Sequence, residues 1–241
     1  MTTQIQPPNR HLLTLRAWSV HFYTSLGLVA GFFALRALLA HEAQQFFIFL
    51  AVALWLDATD GTLARRWDIQ RWVPDFDGRK LDDITDYLNY TFLPVFFAYS
   101  FGLVEGPLGM FVLALVLLSS AYGFCSAGAK TPDHYFTGFP SYWNIMVFYL
   151  YLFNWPVWGN TLTLALFAAL VWVPVKYVNW QTSICQRWTL IGAAIWGVAL
   201  LFLLITFTAA PPWLLWGSLL YPVYHFGLSF YLYISGRSRA S

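Results

Sequence analysis

Apolar runs too long for a water-soluble core dominate this chain, and residues 17–40 are the first of them. A helix needs about 20 mostly apolar residues to cross the hydrocarbon of a bilayer. Lipid supplies no hydrogen bonds, so a chain with such runs along its length must close its backbone within helices. The sequence predicts eight spans, at 17–40, 45–66, 80–103, 107–128, 140–155, 159–175, 188–208 and 212–234. Trp155, Pro156 and Gly159 break the chain between the fifth and sixth. Those two are short for spans, and six spans with a re-entrant pair is the alternative. Composition agrees, with 59% hydrophobic and only 10% charged residues. The expected fold is therefore all-α, a polytopic membrane bundle forming a single domain over 1–241. A net charge of +2 gives no reason to expect a nucleic-acid partner.

The basic residues orient the bundle. With eight spans, twelve of the thirteen Lys and Arg fall on one side, and only Arg36 lies toward the other. The connections near 41–44, 104–106, 156–158 and 209–211 carry no Lys or Arg. By the positive-inside rule both termini face the cytoplasm, together with the loop at 65–80. Arg10 and Arg16 precede an apolar run longer than the core of a cleaved leader, so it reads as a retained first helix. Trp18, Trp67, Trp143, Trp158, Trp188 and Trp213 sit at span ends and read as interfacial anchors. Ser119, Gly123 and Ala127, spaced i, i+4, i+8, read as a close-packing face. Cys125 and Cys185 have no metal-type spacing and read as inert.

Residues 56–87 hold eight of the eleven carboxylates, all Asp. Asp57, Asp60, Gly61, Ala64 and Asp68 share one helical face, and Asp82 and Asp86 are one turn apart at the start of the next span. Ionised carboxylates at the edge of a bilayer are costly and repel one another. A divalent cation relieves both costs. The ligands on offer are hard oxygens, with no His or Cys nearby, which argues for Mg²⁺ or Mn²⁺ over Zn²⁺. Four carboxylates from two helices suffice for two ions, an arrangement suited to phosphoryl transfer at a diphosphate. Arg65 is placed to pair with a phosphate oxygen. Asp68, Asp75, Asp77 and Asp83 read instead as a solvated or structural loop.

The pattern Asp57-x-x-Asp60-Gly61-x-x-Ala64-Arg65, followed by Gly78-x-x-x-Asp82-x-x-x-Asp86, resembles the signature of the CDP-alcohol phosphotransferases. Residues 66–77 make a spacer of twelve where most of that family has eight. This longer spacer and the segment "TPDHYFTGFPSYWN" at 131–144 resemble the branch that joins choline to CDP-diacylglycerol and releases CMP. The resemblance implies a membrane-bound transferase, at work in a bacterial inner membrane with its site toward the cytoplasm. It implies Asp57, Asp60, Asp82 and Asp86 as metal ligands, with Asp86 also the general base. It places the CDP moiety against Asp57, Asp60, Gly61, Ala64, Arg65 and Gly78, and it implies a homodimer.

Choline cannot donate a hydrogen bond from nitrogen, so its recognition needs aromatic faces and negative potential. Asp133, Tyr135, Phe136, Tyr142, Trp143 and Asn144 are the candidates. An interfacial aromatic belt with a turn at 138–140 explains the same residues equally well. His134 reads as a solvated loop residue, and His21 has no evident partner in the sequence. Synthesis of phosphatidylserine or phosphatidylglycerophosphate is the nearest alternative activity. A divalent-cation transporter or channel is the alternative of another class. Ion passage would need acids at mid-span, yet the remaining ones, Glu42, Glu105 and Asp133, all lie near predicted loops.

Overall fold

A computed structural model of the chain describes residues 10–126, 135–178 and 186–235. They form helices throughout, apart from one pair of three-residue strands, and fall into two compact units that divide after Asn89.

In the first unit, α1 (Arg10–Leu39) and α2 (Ala43–Trp67) make an antiparallel hairpin. The buried face of α1 is built largely from small residues, including Ala17, Thr24, Gly27, Ala30, Ala34 and Ala37. In lipid, where apolar surface gains little by leaving its neighbours, such a face lets two helices approach and pack. The turn closes through His41 at φ 55, with Glu42 N–H donating to Ala37 O and His41 N–H to Leu38 O. That pair of bonds is the Schellman pattern that ends a helix. A short α3 (Ile69–Trp72) and then α4 (Gly78–Asp86) both return against α1. The chain stays helical through a wider π turn, Tyr87–Phe92, into α5 (Leu93–Ser100). Pro94 lies just beyond that turn and has no N–H to give the preceding one, so the ladder is interrupted there.

The second unit packs α5 against α6 (Gly106–Cys125) and α7 (Trp143–Phe153), and α6 against α8 (Val157–Trp172). Gly123 faces Val171 across the α6–α8 contact and Ser119 is fully buried, which is the close packing expected of both. Ala127 lies outside the described residues. Ser120 Oγ accepts from Trp143 Nε1 at 2.7 Å and from Ser141 Oγ at 3.1 Å, tying the start of α7 to α6. Tyr149 donates to Ser218 at 2.8 Å and accepts from Trp196 at 3.1 Å. These two bonds join α7 to α9 (Gln186–Thr206) and α10 (Pro212–Ser218), beside α11 (Leu220–Ile234). Strands β1 (Tyr135–Thr137) and β2 (Lys176–Val178) pair antiparallel, with Phe136 opposite Tyr177.

Helices occupy all eight regions that hydropathy picks out. Four of them are long and apolar enough to cross a membrane: Arg10–Leu39, Ala43–Trp67, Gly106–Cys125 and Arg187–Ala209. Trp143–Phe153 and Val157–Trp172 are apolar but shorter. Large apolar side chains stand exposed along these helices, among them Phe22, Trp55, Ile195 and Ile205. A water-soluble surface does not carry apolar area on that scale. The chain is an integral membrane protein.

Three details depart from the sequence reading. The strand pair was not foreseen in an all-α chain. The helix over 212–234 is broken near Leu219 into α10 and α11. Trp143 is not an interfacial anchor, because its ring is wholly buried and its N–H is bonded inside the unit. Trp18, Trp158, Trp188 and Trp213 are exposed, as anchors require.

Candidate active site

The buried stripe of α2 runs through Ala43, Phe46, Phe47, Leu50, Ala53 and Leu56 and ends on Asp60. The register that seats apolar residues against α1 therefore carries a carboxylate into the same interface. Asp60 is only 6% exposed, and Thr24 Oγ1 of α1 donates to its Oδ2 at 2.7 Å. Asp57, one turn earlier, is half-buried. Past the site, Asp68 caps α2 in the left-handed region, its N–H donating to the carbonyls of Ala64 and Arg65.

Asp82 and Asp86 reach the site from α4. Asp77 starts that helix by accepting from Lys80 N–H at 3.1 Å, satisfying a donor that the helix itself leaves open. Thr85, between the two acids in register, is buried against α1, and a Cβ on Gly27 would lie 2.6 Å from its Cγ2. Asn89 Nδ2 donates to Gly27 O and to Thr85 O, each at 3.0 Å. The absent side chain at Gly27 thus sets how closely α4 approaches α1.

This packing brings Asp57, Asp82 and Asp86 together, with one oxygen from each within 4.8 Å of the other two. Two unit charges that close repel by roughly 3 kcal/mol at the effective dielectric typical near a protein surface. A half-buried set of hard oxygens converging at this range fits a divalent cation of the Mg²⁺ or Mn²⁺ type. Asp60 is outside that triplet. It lies one turn on from Asp57 and is held by Thr24.

The other motif residues lie on the same two helices. Ala64 is half-buried, and Arg65 is exposed, with its Nη2 3.4 Å from Thr62 Oγ1. Gly61 faces the Arg65 guanidinium, 3.3 Å from where a Cβ would sit. Gly78 is covered by His21, whose Cε1 lies 2.8 Å from a would-be Cβ. His21 is itself buried, between Phe76 at 4.5 Å and Trp18 at 5.8 Å between ring centroids. Sequence reasoning found no partner for His21, and it passed over Thr24 and Gly27 altogether. Their one sequence signal is a shared face, at i, i+3 and i+6 of the first helix.

The twelve-residue spacer is packed, not a free loop. Val73 is buried, Phe76 lies on His21 and Trp18, and Arg16 sits 4.0 Å over the ring of Trp67. The exposed Asp68 and Asp75 match the solvated reading given them. Deleting four residues from 69–76 is therefore expected to lower the melting temperature. Loss of the Val73 burial alone is worth about 1.5–3 kcal/mol. Thermal unfolding of the shortened protein checks this, and an unchanged midpoint would return the spacer to a solvated extension.

The alcohol-site candidates belong to the second unit. Asp133 and His134 lie outside the described residues. Tyr135 and Phe136 form β1. Tyr142 is partly exposed beside α7, whereas Asn144 is buried with its Oδ1 unpartnered. Trp143 packs edge-on to Phe139 at 5.1 Å.

Half-buried acids converging from two helices define the class, a membrane protein with a carboxylate site fit for a metal ion. The relatives give this class its chemistry. No family model matches the chain. It is 41% identical over 175 residues to a phosphatidylcholine synthase of Legionella pneumophila, covering 72% of this chain and 69% of that protein. Against the phosphatidylcholine synthase of Pseudomonas aeruginosa it is 35% identical over 164 residues, 68% of this chain and 69% of the other. The phosphatidylcholine synthase of Rhizobium meliloti aligns over 91% of this chain and 92% of its own length at 28% identity. The chain belongs to the phosphatidylcholine synthase family.

Proposed function

We infer that this chain transfers the phosphatidyl group of CDP-diacylglycerol to choline and releases CMP. The observation that carries the inference is the convergence of Asp57, Asp82 and Asp86, in a chain whose relatives are phosphatidylcholine synthases. In the transfer, the choline oxygen bonds to the phosphorus next to the diacylglycerol, and the bond to the bridging oxygen breaks. CMP leaves with that electron pair. Asp86 takes the hydroxyl proton as the attack proceeds, because an unassisted alcohol is a weak nucleophile. Bound Mn²⁺ or Mg²⁺, two ions in this reading, supplies neutralisation of the diphosphate charge. Asp57, Asp60 and Asp82, with Asp86, hold the ions. Gly61, Ala64 and Gly78 are assigned to the CDP moiety, with His21 filling the space beside Gly78, and Arg65 pairs with its phosphate.

The choline trimethylammonium is assigned to Asp133, Tyr135, Phe136, Tyr142, Trp143 and Asn144. The whole chain acts as one catalytic membrane domain of eight crossings, as a homodimer. Both termini and the aspartates face the cytoplasm across a bacterial inner membrane.

The test gives purified protein CDP-diacylglycerol with choline, serine or glycerol 3-phosphate, in Mn²⁺ or in EDTA. CMP is expected with choline and metal, and with no other combination. Release with serine or glycerol 3-phosphate in place of choline would reassign the substrate, and full activity in EDTA would end the metal proposal. Tyr142→Ala is expected to raise KM for choline by roughly two- to thirty-fold, as one cation–π contact implies. The KM for CDP-diacylglycerol should not move. An equal rise in both would mean damaged packing.

A further inference from the structure

Threonines inside a helix commonly turn the hydroxyl back onto their own backbone, four residues earlier. Thr59, Thr85, Thr161, Thr163 and Thr206 all do so here, donating to Trp55, Leu81, Val157, Gly159 and Phe202 respectively. Thr24 does not. Its hydroxyl leaves α1 and donates to Asp60 Oδ2, 36 residues away, at 2.7 Å, with both side chains buried. A hydroxyl has a single hydrogen, and this one is given to a carboxylate.

The neighbouring residue provides a comparison within the same helix. Tyr23 Oη lies 2.7 Å from Thr59 Oγ1. The Thr59 hydrogen is directed to the carbonyls of its own turn, Trp55 or Leu56. Tyr23 is therefore the donor. Helix α1 thus gives α2 two adjacent hydroxyl donors at the same distance, one on a neutral hydroxyl and one on a carboxylate. They clamp the helices alike but differ in what they orient.

We propose that Thr24 is a positioning residue for the metal site: by engaging Asp60 Oδ2 it sets the carboxylate's rotation and turns Oδ1 toward the cation. Hydrogen bonds to ligating carboxylates of this kind commonly change metal affinity ten- to a hundredfold when removed. The proposal rests on the reading of Asp60 as a metal ligand. It gives α1, which contributes no residue to the signature, a part in orienting the metal site.

The experiment measures Mn²⁺ binding by electron paramagnetic resonance on the full-length protein in detergent, with saturating CMP. The variants are Thr24→Val, Thr24→Ser, Tyr23→Phe and Asp60→Asn. Thr24→Val is expected to weaken Mn²⁺ binding by roughly tenfold or more. Thr24→Ser should stay within about threefold of the unaltered protein, since the donor is kept. Tyr23→Phe should lower the melting temperature about as much as Thr24→Val while leaving Mn²⁺ affinity unchanged. If Thr24→Val does not fold, Thr24→Ala removes the same hydroxyl without adding bulk. Equal losses of affinity in Tyr23→Phe and Thr24→Val would overturn the proposal in favour of simple helix clamping. Unchanged affinity in Thr24→Val, with affinity lost in Asp60→Asn, would overturn it while keeping Asp60 as a ligand. Unchanged affinity in Asp60→Asn would remove the ligand reading, and the proposal with it.

Discussion

Replacing Asp86 with Asn should lower kcat for CMP release by roughly a thousandfold, with a much smaller change in KM for CDP-diacylglycerol. A positioned base is commonly worth 10²–10⁴ in rate. Asn keeps the shape of the side chain but accepts no proton from the choline hydroxyl. It also removes one of the three charges that converge within 4.8 Å, so metal affinity reports a second effect separately. The comparison with Asp57→Asn and Asp82→Asn separates the two roles. Those variants lose charge but not the base, so excess Mn²⁺ should recover part of their activity. It should recover little in Asp86→Asn, where the missing group is not replaced by metal. The checks are CMP release across a Mn²⁺ titration and Mn²⁺ binding by paramagnetic resonance. An Asp86→Asn enzyme within a few-fold of the unaltered protein, or one restored fully by Mn²⁺, would move the base elsewhere.

Those aspartates were legible because two periodicities coincide on them. The 3.6-residue pattern that buries Leu50, Ala53 and Leu56 also delivers Asp60, and a one-turn spacing pairs Asp82 with Asp86. Hydropathy located the helices for the same reason, since lipid exposure demands apolar surface whatever the neighbours are. What periodicity cannot report is the identity of the neighbour across an interface. Thr24 reads as one more small residue on a packing face until α2 is laid against it and Asp60 accepts its hydrogen. His21 stayed unassigned because its surroundings, Phe76 and Gly78, come from a spacer and helix start more than fifty residues on. Trp143 misled in the opposite direction. A tryptophan at a span end is usually an anchor, but the Phe139 ring and the Ser120 hydroxyl of another helix make this one a core residue. The β1–β2 pair has too few residues to carry an alternation signal.

Gly27→Ala should damage the enzyme through a single methyl group placed on α1. The added Cβ would lie 2.6 Å from Thr85 Cγ2, closer than carbon atoms approach without something shifting. Thr85 cannot easily yield, because its hydroxyl is bonded to Leu81 O at 2.9 Å and a β-branched side chain has few rotamers in a helix. The strain then passes to α4 as a whole. Forced insertion of this kind costs about 1–3 kcal/mol in a packed interior. The functional cost is larger, because Thr85 lies between Asp82 and Asp86 and moves with them. A misplacement of about 1 Å at a reacting centre can cost roughly a hundredfold in rate. Moving α4 also stretches the bond from Asn89 to Gly27 O, which now ties the helix to α1. Thr85→Ser supplies the control, since it deletes Cγ2 and keeps the hydroxyl on Leu81. Alone it should be nearly silent; combined with Gly27→Ala it should restore most of the activity and Mn²⁺ affinity. A double variant no better than Gly27→Ala would show that the contact with Thr85 is not what transmits the damage. Recovery would establish that the metal site is assembled by how closely one featureless turn of α1 lets α4 approach.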